Sequence, residues 1–321
     1  MALSEFDLIR RYFAPFRHGP AVVTGIGDDC AVLSLGAGAQ LCTSIDTLVA
    51  GVHFPGDADP EGLGWRSLAA AVSDLGACGA KPLGFCLALT LPEADENWLA
   101  AFSAGLSRAA EAFAIPLCGG DTTRGPLTIS VQVMGEVARG RALLRGNAAA
   151  GDELWVTGTL GDARAALDLF AGSVELTPVA AEAFRQAYYY PRPPLVFAGS
   201  LPGLAHAAID ISDGLLADLG HVLASSALGA ELWLDNLPLS EALRDSYDLE
   251  TARAYALSGG DDYQLCFSAP ASARDRLMRE AQAQAIQLSC IGQLRAEPGL
   301  LCLDEAGRVQ VVQPSGYQHF S

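Results

Sequence analysis

Seven aspartates stand at the ends of apolar or β-prone runs or within glycine turns: Asp29, Asp46, Asp74, Asp121, Asp210, Asp213 and Asp261. Carboxylates crowded together repel one another unless cations lie between them. An all-oxygen donor set selects Mg²⁺ or Mn²⁺ over zinc or copper. Mg²⁺ commonly accompanies nucleotide phosphates, and bound metal inverts the local sign of charge. The chemistry on offer is metal-assisted handling of a polyanion. The same spacing also fits aspartates scattered over ordinary turns.

The richest stretch is Gly119-Gly120-Asp121-Thr122-Thr123-Arg124-Gly125-Pro126. It reads as a turn between an apolar run, 114–118, and a β-branched run, 127–133. Its glycines leave the backbone open to close approach, its aspartate suits a hard cation, and its arginine suits phosphate. Gly25-Ile26-Gly27-Asp28-Asp29-Cys30 is similar, and either aspartate can face a site while the other caps the turn. Ser44 and Asp46 share one face of a strand that begins near Leu41. His53 trails Asp46 by seven residues, and a structural role fits it equally. Asp74 sits in the last turn of an expected helix, where the helix dipole disfavours it and a ligand role would explain it.

Composition removes several function classes. The formal charge is −17, from 20 basic and 37 acidic residues, so nucleic acid and anionic membrane are poor partners. Lys81 is the only lysine, and Pro82 follows it, so no Walker A lysine and no kinase V-A-I-K strand is present. Arginine and metal ions must supply the positive charge for any phosphate. The eight cysteines contain no C-x-x-C pair and read as reduced core thiols rather than a zinc site. Met1-Ala-Leu-Ser-Glu-Phe-Asp7 has no basic n-region or apolar h-region, and no window approaches the roughly 18 apolar residues of a membrane span. A cytoplasmic location is expected.

These residues need elements to position them. The length of 321 residues and the Gly- and Ala-rich composition suggest two α/β domains. Ser4 to Phe13 suggests a short amphipathic helix. Pro60–Gly76 and Asp95–Phe113 suggest longer ones, the first capped by Asp59 and the second anchored by Trp98, Phe102 and Leu106. Pro82–Leu91 reads as a strand buried on both faces. The junction is expected within 138–150, giving domains 1–138 and 139–321. Arg139 and Arg141 read as linker, and Arg145 as able to reach the acidic loops. In the second half, Gly158-Thr-Leu-Gly161-Asp162 opens a helix; it can hold an anion or simply be N-capped by Asp162. Asp210 and Ser212 share a strand face, and Asp213-Gly214 opens another helix. Ser258-Gly259-Gly260-Asp261-Asp262-Tyr263 precedes a further strand. The aromatic tail reaching His319-Phe320 can dock on a site.

Taken together, Gly25–Cys30, Asp46-Thr-Leu-Val-Ala-Gly-Val-His-Phe54, Ser73-Asp-Leu75, Gly119–Pro126, Ile209-Asp-Ile-Ser-Asp-Gly214 and Ser258–Tyr263 resemble, in order and over essentially the whole chain, the thiamine-monophosphate kinase family. That family lies within the aminoimidazole ribonucleotide synthetase and selenophosphate synthetase superfamily. The resemblance implies an α/β (α+β) class and a two-domain synthetase-like fold. An N-terminal mixed sheet would bind ATP and Mg²⁺ and pair into a dimer barrel, and a C-terminal α/β domain would complete the active site. It implies metal ligands at Asp29, Ser44, Asp46, Asp74, Asp121, Asp210 and Asp213. ATP contacts are implied at Gly120, Asp121, Arg145 and Ser212, and substrate contacts at His53, Asp261 and Tyr317. Ile45 stands where the family often has threonine, so a ligand there is its backbone oxygen. Asp261 stands where glutamate is expected and is one methylene shorter.

The implied reaction converts thiamine phosphate to thiamine diphosphate with ATP in a homodimer. The acceptor is itself a phosphate with a second pKa around 6, so a general base is dispensable. Several Mg²⁺ ions held through Asp46, Asp74 and Asp121 would bring two polyanions into line for direct transfer, without a phospho-enzyme. The alternatives are another ATP-dependent synthetase of the superfamily, or a non-catalytic nucleotide- or metal-binding protein. Selenophosphate chemistry would call for an early reactive Cys, and none precedes Cys30. No EF-hand loop is present.

Overall fold

A computed structural model of the chain describes residues 5–16 and 19–310; Tyr317 and the aromatic tail lie outside the described residues. The chain forms two compact units. The first runs to Leu75 and resumes at Ala80–Gly140; the second takes Gly76–Gly79 and everything from Arg141.

In the first unit, helix α1 (Glu5–Leu8) continues into a π-helical turn at Ile9–Phe13. Strands β1 (Val22–Thr24) and β2 (Val32–Leu33) form a small hairpin whose turn carries Gly25–Cys30. A four-stranded sheet follows, built from β3 (Ala39–Val49), β4 (Lys81–Leu91), β5 (Leu117–Arg124) and β6 (Thr128–Ala138) in the order β3-β6-β4-β5. Helices α2 (Pro60–Ala77) and α3 (Glu96–Ala112) bury one face of it. Asp59 accepts the Gly62 N–H at 2.8 Å and Asp95 accepts those of Asn97 and Trp98, so both helices start at side-chain caps. Leu68, Val72, Leu99, Phe102 and Leu106 on the helices and Phe85, Leu87, Ile129, Val131 and Val133 on the strands are all buried. The helix backbones cross closely. A Cβ on Gly64 would fall 2.1 Å from the Phe102 oxygen, and one on Gly105 1.8 Å from the Glu61 oxygen.

Two expectations need correction. Gly119–Arg124 is strand rather than turn: β5 pairs in parallel with β4, and the turn is confined to the residues after Arg124. Gly120 is required by that pairing, because a Cβ there would lie 1.9 Å from the Leu87 carbonyl oxygen. Its bare backbone admits a neighbouring strand. Strand β4 is buried on one face in its second half, where Leu87, Leu89 and Leu91 alternate with more exposed Cys86, Ala88 and Thr90.

The second unit holds β7 (Glu153–Thr157), α4 (Asp162–Phe170), α5 (Pro178–Tyr189), α6 (Leu195–Ala198), β8 (Ala207–Asp210) and α7 (Leu215–Ser226). Then come β9 (Gly229–Trp233), α8 (Glu241–Ser246), α9 (Leu249–Ser258), β10 (Leu265–Ala269), α10 (Arg274–Ala283), β11 (Leu288–Arg295), β12 (Gly299–Leu303) and β13 (Val309–Gln310). The seven strands form one sheet, β13-β12-β9-β11-β7-β10-β8, antiparallel except for the β9–β12 pair. Strands β7, β8 and β10 are buried at every residue. One face packs Val156, Ile209, Leu219, Leu232 and Phe184; the other packs Trp155, Phe197, Leu265, Phe267 and Leu277. Gly76–Gly79 belongs here: Cys78 accepts the Leu143 N–H at 3.1 Å, and a Cβ on Gly79 would lie 2.7 Å from Pro202. All eight cysteines are free thiols; Cys118, Cys266 and Cys302 are buried, but Cys30 is exposed.

Candidate functional site

The strand pleat sorts the acidic residues of the first unit into two groups. Register pairs Asp46 with Val131 and Ser44 with Val133, on the face that the helices cover. From α2, Asp74 comes to meet them: Ser44 Oγ donates to Asp74 Oδ2 at 2.5 Å. Burial first, and then the charge of Asp74, push the Asp46 carboxyl up to about 6. Asp74 at a helix C-terminus and Asp46 in a partly buried strand are thus like charges held side by side.

Asp121 belongs to the other group. It pairs with Ala88, which pairs with Ser130, which pairs with Thr47, and this row lies on the sheet's opposite face. A cavity of about 1030 Å³ lies there, and Asp28, Asp29, Gly119, Gly120 and Asp121 are among its lining residues. Arg10 also lines it, bringing a cation to the acidic loop. Asp28 Oδ1 accepts the Asp29 N–H at 2.8 Å, so Asp28 serves the turn itself. Cys86 and Cys118 share the cavity wall with their sulfurs 3.8 Å apart. The contact with Cys118 pulls the Cys86 thiol down to about 7, while the Cys118 thiol donates to the Phe85 carbonyl at 3.1 Å. Sequence periodicity gave no hint of this contact, because a one-residue irregularity in the β4–β5 register produces it.

His53 Nδ1 accepts the Val49 N–H at 2.9 Å, closing the turn that follows β3. In the second unit, Arg145 lies in a 3₁₀ turn whose carbonyl accepts the Ser226 hydroxyl at 3.0 Å.

The turn between β8 and α7 carries Asp210, Ser212 and Asp213. Asp210 is buried at the strand end. The N–H groups of Ser212, Asp213 and Gly214 all donate to one oxygen, Asp218 Oδ2, at 3.0, 3.1 and 3.2 Å. Burial drives the Asp218 carboxyl up to about 6, against the lowering effect of those donors. The glycine stretch before β10 locks onto this turn. Asp261 N–H donates to the Ser212 carbonyl and Tyr263 N–H to the Ile211 carbonyl, each at 2.8 Å. Asp261 and Tyr263 both take positive φ, 70° and 49°, and Tyr263 Oη donates to Asp261 Oδ1 at 3.0 Å. A Cβ on Gly260 would fall 2.3 Å from the Ser212 oxygen, so glycine is needed for contact with that turn.

Asp262 is buried, and both its oxygens accept the Gly161 N–H, at 3.0 and 3.1 Å. Burial, reinforced by the charges of Asp162, Asp261 and Asp218, raises its carboxyl well above the usual range. The start of α4 therefore does hold an acidic group, and that group is the chain's own Asp262. Its N-cap is Gly161; Asp162 instead accepts the hydroxyls of Ser240 at 2.6 Å and Thr159 at 3.1 Å. Asp218 and Asp262 are the functional candidates that sequence reasoning passed over. Their signal was present, an acidic residue four after Gly214 and a second aspartate after Asp261, but without knowing which N–H groups converge it reads as helix polarity.

Among the described residues, no three His, Cys, Asp or Glu side chains converge closely enough to chelate one ion. The donor set is nevertheless that of a hard cation: carboxylates and a hydroxyl, with Asp46 made more basic by burial and then by Asp74. The acidic turns of each unit can take positive charge, and through it a polyanion.

Residues 27–137 match the family model described as AIR synthase related protein, N-terminal domain, and residues 149–301 match the corresponding C-terminal domain. The chain is 42% identical over 323 residues to the thiamine-monophosphate kinase of Escherichia coli strain K12, covering 100% of this chain and 99% of that protein. It is similar to the crystal structure of thiamine-monophosphate kinase from Stenotrophomonas maltophilia K279a, with TM-score 0.86, 44% identity, and coverage of 97% of this chain and 99% of that one. It is also similar to AaThiL complexed with AMPPCP and TMP, with TM-score 0.79, 31% identity, and coverage of 89% of each chain.

Proposed function

The chain belongs to the thiamine-monophosphate kinase family, and from that premise we propose that it transfers the γ-phosphoryl group of ATP to thiamine monophosphate, giving thiamine diphosphate and ADP. The observation that carries this reading is the full-length similarity to thiamine-monophosphate kinases, one of them solved with AMPPCP and TMP. The geometry supports it. Two polyanions must meet on a protein of net charge −17, and the acidic turns are where cations can be taken up.

In this reading Mg²⁺ binds the first unit through Asp29, Ser44, Asp46, Asp74 and Asp121, with the Ile45 carbonyl as a further oxygen, and the second unit through Asp210 and Asp213. When bound, Mg²⁺ neutralises charge on the transferring phosphoryl group. The chain's own residues hold and orient. Gly120, Asp121, Arg145 and Ser212 contact ATP; His53, Asp261 and Tyr317 contact the thiamine phosphate. A phosphate acceptor needs little deprotonation near neutral pH, so no side chain is assigned as base. Transfer is direct and in line. Asp46, Asp74 and Asp121 act through metal.

The first unit binds ATP and forms a homodimer through its sheet; the second completes the nucleotide and substrate contacts. Strand β3 ends the sheet order and exposes Leu41 (51%) and Ile45 (63%), apolar surface that a second copy would cover. No described helix is long and apolar enough to cross a membrane, and we place the enzyme in the cytoplasm.

The test follows ADP release from purified protein with Mg-ATP, with and without thiamine phosphate, and identifies the product by chromatography. Thiamine diphosphate forming in step with ADP is the expected result. ADP release without thiamine phosphate would point to another acceptor, and ATP binding without turnover to a binding protein.

A further inference from the structure

The turn between β8 and α7 has the form of an anion cradle. Three consecutive N–H groups, from Ser212, Asp213 and Gly214, point at one spot at the start of a 12-residue helix, where the helix dipole adds positive potential. Such a cradle can take a phosphate of an incoming ligand. Here the chain fills it with its own carboxylate. Asp218 is 3% exposed and sits one helical turn further on, so its side chain folds back to the cradle.

The same turn is held from the other side. The Ser212 peptide is fixed at its N–H by Asp218 and at its carbonyl by the Asp261 N–H. Ile211 is fixed at its carbonyl by the Tyr263 N–H and at its own N–H by the Gln264 carbonyl, both at 2.8 Å. Every peptide from Ile211 to Gly214 therefore has a fixed direction. What these peptides carry are the side chains of Ser212 and Asp213, with Asp210 immediately before.

We propose that Asp218 is a positioning residue: its carboxylate occupies the cradle permanently and sets the directions of Asp210 and Asp213 before any cation arrives. The inference rests on the reading of Asp213 as a metal ligand. It carries a second consequence. A phosphate cannot use these three N–H groups, so a polyanion reaches this turn only through cations. Asp218 itself is engaged by three donors at Oδ2 and buried, and so differs from the ligands it orients.

The chain used is the full-length protein, as wild type, Asp218→Asn, Asp218→Glu and Asp213→Asn. The probe is Mn²⁺ alone, followed by electron paramagnetic resonance of the free ion, with the Mg²⁺ dependence of ADP release and thermal melting beside it. Asp218→Asn keeps the shape but loses the charge that strengthens each N–H donation. Mn²⁺ affinity at the site lost in Asp213→Asn is expected to weaken about tenfold, with half-saturating Mg²⁺ rising by a similar factor, as removal of a ligand's supporting partner typically does. Asp218→Glu, whose extra methylene shifts the oxygen out of the cradle, is expected to do the same, and it carries the test if the Asn variant fails to fold. Asp218 variants that bind Mn²⁺ like wild type and lose only melting temperature would show a purely structural role and overturn the proposal. If Asp213→Asn leaves Mn²⁺ binding unchanged, the ligand reading falls and this inference with it; if Asp213→Asn weakens binding and both Asp218 variants do not, only this inference falls.

Discussion

Ser44 on β3 donates its hydroxyl to Asp74 on α2 across 2.5 Å, tying the edge strand of the first unit to the end of a helix. The bond holds Asp74 where its charge disfavours ionisation of Asp46. Asp74→Asn should therefore lower the Asp46 pKa from about 6 towards its usual range, only in part because burial is the larger cause. A carboxyl-carbon NMR titration reads this directly. The same variant should lose on the order of 100-fold or more in thiamine-phosphate-dependent turnover without losing melting temperature.

The raised carboxyls predict an unusual pH dependence for the metal-free protein. Asp46 and Asp218 both move from 3.8 to about 6 on folding. Between those values the folded chain binds more protons than the unfolded chain, so their contribution to stability is complete below about 3.8 and is lost as pH rises through about 6. Each contributes on the order of 1–3 kcal/mol. Melting temperature in EDTA should rise when pH falls from 7.5 to about 5.5. Excess Mg²⁺ should flatten that trend by stabilising the ionised carboxylates. A metal-free melt that falls over the same interval would contradict the assignment.

Gly120 separates a folding role from a ligand role. A Cβ there meets the Leu87 carbonyl at 1.9 Å, so Gly120→Ala should cost several kcal/mol, on the scale of severe backbone clashes, and reduce the yield of folded protein. If Gly120→Ala folds normally and loses only ATP affinity, the close strand approach is not what requires glycine.

Asp121, in contrast, stands on an exposed part of β5 and lines the cavity with Asp29. Asp121→Asn should keep the wild-type melting temperature within a few degrees and lose on the order of 100-fold in turnover. Near wild-type turnover would remove it from the essential ligands.

Asp262 is the buried counterpart. Asp262→Asn retains an oxygen for the Gly161 N–H and replaces a carboxyl that burial already pushes towards its neutral form, so it should leave stability within about 1 kcal/mol of wild type. Asp262→Ala leaves that N–H without an acceptor and should cost about 2–4 kcal/mol in urea unfolding.

Much of this architecture was legible from residue pattern. Helices α2 and α3, the cap Asp59, and the strand bearing Ser44 and Asp46 follow from periodicity and capping chemistry, because local sequence decides them. The glycine stretch at Gly119 misled, because glycine there accommodates a strand neighbour distant in sequence rather than a reversal of the chain. The same limit hid Asp218 and Asp262. Their roles depend on backbone N–H groups gathered by tertiary contact, and no spacing rule encodes that. The division of the first unit's acids between two sheet faces required the register of β4 against β5 and β6, which single-strand patterns do not specify.

The path of the chain carries a consequence for its synthesis. Gly76–Gly79 emerges from the ribosome with the first unit but packs with Leu143 and Pro202 of the second. Co-translational folding can complete the sheet of the first unit, yet this short strap must wait for its partners until much of the remaining chain is made. A gene fragment begun at Arg141 would encode the second unit without its strap, with Leu143 and Pro202 left to solvent. The two units are therefore separable as compact bodies and inseparable as open reading frames.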